Sequence, residues 1–95
     1  MYLPQLTAFY EKIIIDDRIT VTHICLYMAM FQVWNLNAFV SPISVSRSEL
    51  MKLSKIAGRT TYHNHMKELV EFGYIKYIPS YHPVLGSLVW MNWSL

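Results

Sequence analysis

Hydrophobic positions near the start of the chain recur at helical spacing. Leu6, Phe9, Tyr10, Ile13 and Ile14 share one stripe, and Pro4 suits a first helical turn, where its missing N–H costs nothing. The pattern predicts a helix within Met1 to Ile15. It packs on the rest of the domain or exchanges with a second copy, and this is favoured over a loosely attached arm because so continuous an apolar face is too large to leave wet. Ile13-Ile14-Ile15 taken alone also reads as a short strand. Asp16-Asp17-Arg18 interrupts as a polar turn, and Thr20 or Thr22 offers an N-cap for a helix reaching about Asn37. From Ile24 to Trp34 that segment is apolar nearly all round, the mark of a central helix covered on several sides. Met28 and Met30 are then packing side chains rather than a ligand box.

After a connection over Asn35 to Pro42, Ile43-Ser44-Val45 alternates as a short strand. Ser46-Arg47-Ser48-Glu49 follows as a capping box, flanked by a hydrophobic staple of Val45 and Leu50, so a helix starts at Arg47 and fades near Lys55. Ile56-Ala57-Gly58 connects it to a longer helix from Arg59. On that helix Tyr62, Met66, Leu69 and Val70 form the packing stripe. Thr60, Asn64, Lys67 and Glu71 lie opposite, with Thr61 and His63 at the margins. Gly73 supplies a left-handed stop, with Tyr74 closing over Leu69 in a Schellman arrangement. Two β-rich runs, Tyr74 to Ile78 and Leu88 to Trp93, then flank a loop marked by Pro79, Pro83 and Gly86. In the first run Ile75 and Tyr77 fall on one side, and in the second Val89, Met91 and Trp93 do.

The run from Ser46 through Ile75, roughly half the chain, resembles the winged helix-turn-helix domain of bacterial transcription regulators and of plasmid or phage replication initiators. The resemblance implies an α+β fold: a three-helix core with a small antiparallel β-hairpin wing, preceded here by an N-terminal helix. One domain spans residues 1–95, with 1–19 as the N-terminal helix or arm and 20–95 as the winged-helix core. In that family the second helix of the motif enters the major groove of double-stranded DNA while the hairpin loop touches phosphate or minor groove. Carried onto this chain, the groove-facing set is Arg59, Thr60, Thr61, His63, Asn64 and Lys67, with Arg47 and Ser48 against the backbone. Asn64 and Arg59 are suited to bidentate pairing with adenine and guanine, whereas Lys67 and the threonines suit phosphate. Tyr62 and Met66 belong to the core, and His65 is a satisfied, half-buried histidine beside them. The chain departs from the family at Gly58, where a serine or threonine usually caps the helix. It departs again in Tyr81 to Ser87, a wing without arginine or lysine, in which Tyr81, His82 and Ser87 remain as hydrogen-bonding partners for a phosphate.

Composition narrows this further. With 95 residues there is room for one core, and 54% apolar against 15% charged residues predicts a homodimer or another partner for the surplus apolar surface. A net charge of +2 is far from that of an indiscriminate nucleic-acid coat. The single cysteine, Cys25, is expected to be a buried inert thiol in a reducing interior. No basic, apolar and small-residue succession marks a secretory signal. The longest apolar run, Ile24 to Phe31, falls short of the ~20 residues of a membrane span, so a cytoplasmic protein is expected.

The residues offer no catalytic constellation. His63 and His65, two apart on a helix, point about 200° away from each other and cannot close on one ion. Asp16, Asp17, Glu49, Glu68 and Glu71 are scattered among caps and surface, and no glycine-rich loop is present to cradle a phosphate. The expectation is a non-enzyme without cofactor or metal: a sequence-specific DNA-binding regulator or replication accessory protein. The alternative is a winged helix used for protein assembly, meeting its partner through the apolar wing and the N-terminal helix.

Overall fold

Local chemistry sets most of the element boundaries in the computed structural model, which describes residues 2–80 and 86–93. The order is α1 (Pro4–Ile13), α2 (Val21–Leu36), β1 (Ile43–Val45), α3 (Arg47–Ser54), α4 (Arg59–Glu71), β2 (Ile75–Ile78) and β3 (Ser87–Met91), an α+β fold. Thr20 caps α2: its hydroxyl accepts the amide of His23, and the His23 ring accepts the amide of Thr20 in return. One arm of the box expected at α3 is present, the Ser46 hydroxyl accepting from the Glu49 amide at 3.2 Å. Gly58 stands at the start of α4 without a side-chain cap. The far end of α4 closes as expected: Tyr74 N donates to Leu69 O at 2.9 Å and Gly73 N to Val70 O at 3.1 Å, with Gly73 at φ +84°.

The sheet is antiparallel in the order β1-β3-β2. Its register pairs Ile75 with Met91 and Tyr77 with Val89, and Ile43 with Val89 from the other side. Ile43, Val45, Ile75, Val89 and Met91 thereby turn one face of the sheet into the core, while Lys76 and Trp90 meet across the opposite face. Leu26, Tyr27, Met30 and Trp34 make α2 the central helix, as its apolar circumference predicted, with Leu50, Tyr62, Met66 and Leu69 packed into the same cluster.

The N-terminal helix packs within its own chain. Phe9 stacks on Tyr27 with ring centroids 3.9 Å apart, and the Lys12 ammonium donates to Gly73 O at 3.0 Å while lying over the Tyr74 ring.

Four expectations are corrected here. Tyr10 and Ile14 leave the packing stripe: α1 ends at Ile13, and Ile14 is 81% exposed because a ten-residue helix turns only Phe9 fully inward. Ile13-Ile14-Ile15 forms no strand. Val70 is 40% exposed, since the core lies on the Tyr62, Met66 and Leu69 side of α4 and Val70 falls on the helix edge beyond it. Cys25 is exposed: it lies on the part of α2 near its N-terminus that α3 and α4 leave uncovered.

Candidate functional site

The α3–α4 turn is short because Lys55 adopts a left-handed conformation at the end of α3 and Ile56 tucks into the core behind it. Ile56 N returns to Met51 O, and Tyr62 N opens the next helix by donating to Gly58 O. This turn fixes how α4 is presented. Burial of Tyr62, Met66 and Leu69 leaves Arg59, Thr60, Thr61, His63, Asn64 and Lys67 exposed, and Arg47 and Ser48 are exposed at the start of α3. All the described residues of the expected DNA-facing set are therefore at the surface; Tyr81 and His82 lie outside the described residues.

Some of them line different depressions. Arg47, His63 and Lys67 line a groove between α4 and the hairpin, together with Ser46, Glu71, Ser80 and Ser87 and the apolar Val45, Tyr62, Met66, Val70, Tyr77 and Pro79. Thr61 belongs instead to a shallow depression against the start of α2, beside Thr22, Cys25 and the α3–α4 turn. Lys67 reaches toward Glu71 at 4.0 Å, one helical turn on, a pairing too exposed to hold it firmly. Burial pushes the Tyr62 hydroxyl up to about 12, with Tyr77 adding to the effect, so it stays protonated.

On the other flank of α4 lies a cluster that sequence reasoning missed. His23, 2% exposed at the start of α2, holds its Nε2 3.0 Å from Glu68 Oε1. The His65 ring lies 4.5 Å from the His23 ring, and His65 Nδ1 donates to Thr61 O, the two atoms 2.6 Å apart. His65 is thus half-buried and satisfied as expected, and His63 stands apart from it against Tyr62. Glu68, taken from the sequence as a surface acid, is instead the partner of a buried histidine. Desolvation lowers the His23 pKa below its ordinary value, with the Glu68 hydrogen bond acting against that shift. The i, i+3 spacing of His65 and Glu68 was the one legible sign; nothing in the sequence ties either of them to position 23.

A scan against protein-family models, a search of curated proteins and a search of solved structures each found no match. Among the described residues, no helix is long and apolar enough to cross a membrane.

Proposed function

We propose that this chain is a winged helix-turn-helix protein that binds duplex DNA, with α4 as the major-groove helix and the β2–β3 hairpin as the wing. The observation that carries the reading is the two-sided character of α4. Its inner face is sealed by Tyr62, Met66 and Leu69, while Arg59, Thr60, His63, Asn64 and Lys67 stand in solvent on a helix held by a tight turn. A helix, a strand, two helices and a hairpin, with β1 beside β3, is the layout such a domain uses. Asn64 and Arg59 are the base readers; Lys67, Arg47, Ser48 and the threonines hold phosphate. In the cell the protein is a small transcriptional regulator or replication accessory protein of a bacterium or mobile element, acting in the cytoplasm. It works as a homodimer, to which the exposed Tyr10, Ile14 and Ile15 contribute.

A net charge of +2 limits the electrostatic contribution. With ~3–5 phosphate contacts per protomer, random-sequence DNA is bound near the weak end of ~10⁻⁴–10⁻⁶ M at physiological salt, and log K falls with log salt. A mobility-shift titration over salt concentration on random and genomic DNA tests this; a flat response sinks the reading. One observation favours the second reading, a protein-assembly module: the lining surface of the groove between α4 and the hairpin is largely apolar. In that case Asn64 and Lys67 are silent on DNA.

A further inference from the structure

We propose that His23, His65 and Glu68 form a binding site for one divalent transition-metal ion of the Zn²⁺ class. The site is independent of the DNA reading. Each of the three offers one ligand atom, and these atoms all lie within 4.8 Å of one another. A tetrahedral ion with bonds of about 2.0–2.2 Å holds its ligands roughly 3.4 Å apart, so closure asks for side-chain movements of little more than roughly 1 Å. His23 and Glu68, at 3.0 Å, are already within that spacing. Two imidazoles and a carboxylate are a donor set this class of ion takes with its fourth position left open. The Glu68 side chain is 40% exposed, so water reaches that position.

The His65 proton is arranged for ligation. His65 Nδ1 meets a carbonyl, which only accepts, so Nδ1 carries the proton and Nε2 keeps its lone pair. A backbone carbonyl in this place fixes the tautomer and ring orientation of a metal-bound histidine. As placed, His23 keeps its lone pair on Nδ1, where it accepts from Thr20 N, so ligation through Nε2 requires the ring proton to pass to Nδ1 at the loss of that cap bond. Its Nδ1 lies 2.9 Å from Thr20 N, a donor, and also 2.9 Å from Thr20 Oγ1, which accepts as readily as it donates. With the lone pair on Nδ1, Nε2–H donates to Glu68. With the proton on Nδ1 and donated to Thr20 Oγ1, Nε2 presents its lone pair to the ion beside the Glu68 oxygen. The proton moves within the ring, so His23 ligation releases none to solvent. The ligands come from α2 and α4, so an ion here would join the N-terminus of the central helix to the helix that faces outward.

The test uses the full chain, stripped with chelator and titrated with Zn²⁺ by calorimetry and with Co²⁺ by visible absorption. The expected result is one equivalent bound, with Co²⁺ bands of a four- or five-coordinate centre. Because the ion binds only the folded chain, Zn²⁺ at ~100 times its Kd should raise Tm by on the order of 10 °C. His65→Ala and Glu68→Gln should each weaken binding at least ~10-fold, while His63→Ala, which removes a nearby surface imidazole, leaves it unchanged. These variants spare the His23 cap, and a melt of each in chelator verifies that it is folded. His65→Gln replaces His65→Ala where that melt fails. No binding, binding undiminished in both ligand variants, or equal loss in His63→Ala overturns the proposal and leaves the cluster as a hydrogen-bonded support for α4.

Discussion

The Tyr74 hydroxyl donates to Asp16 Oδ2 at 2.8 Å across 58 positions of sequence, tying the turn after α1 to the start of β2. Arg18 holds the same carboxylate through Nε at 2.8 Å and Nη2 at 2.9 Å, and its guanidinium lies over the Phe72 ring. These partners, Arg18 before Tyr74, hold the Asp16 carboxyl well below its usual range despite an opposing effect of burial. The folded chain therefore takes up this proton less readily than the unfolded chain. The stabilisation is complete above about pH 4, where an unperturbed aspartate ionises, and is lost as pH falls below that through the folded-state value. Asp16→Asn should flatten the acid limb of a stability-against-pH curve measured by urea unfolding. Tyr74→Phe should cost about 1–2 kcal/mol at neutral pH.

Two neighbours on α4 separate core from edge. Leu69 is fully buried and Val70 is 40% exposed. Leu69→Ala should cost roughly 2–5 kcal/mol, a large part of the margin of a domain this small. Val70→Ala should cost about 1 kcal/mol or less. Equal melting shifts would show the phase of α4 to be wrong.

Glycines 73 and 86 both have positive φ, +84° and +66°, but their surroundings differ. A Cβ at Gly73 would meet only the end of the Lys12 side chain at 3.6 Å, so Gly73→Ala should cost about 1–2 kcal/mol for its backbone conformation alone. At Gly86 the added carbon would sit 2.8 Å from the carbonyl oxygen of Val45, on the strand that β3 pairs with. Gly86→Ala should therefore be worse by at least ~1 kcal/mol, read from denaturation midpoints.

The proposed DNA reading separates base reading from backbone holding on α4. Asn64 presents a donor and an acceptor in solvent, so Asn64→Ala should remove ~1–3 kcal/mol from binding to a preferred DNA site and leave random-sequence binding nearly unchanged. Lys67→Ala removes a point charge and should weaken both, lowering the salt slope by about one unit. Competition shift assays with one specific and one scrambled duplex give both quantities.

Much of the architecture is written in short-range pattern. Ser46 caps α3, and Gly73 and Tyr74 close α4, because each depends on residues a few positions apart. Alternation groups Ile75 with Tyr77 and Val89 with Met91, but only the pairing of β2 with β3 sets the two groups on one face. The helical period likewise marks Tyr62, Met66 and Leu69 as inner and Asn64 and Lys67 as outer. Periodicity does not say where a packed stripe ends. Val70, Tyr10 and Ile14 qualify by spacing, yet they are left outside because neighbouring elements cover only part of each stripe. Cys25 was misjudged for the same reason, its apolar neighbours being covered where it is not. The His23, His65 and Glu68 cluster depends on how α2 crosses α4, a contact between side chains 45 positions apart that no local rule encodes. Folding brought these groups together by burying the hydrophobic faces around them, which is why their partnership appears in the packing and not in the pattern.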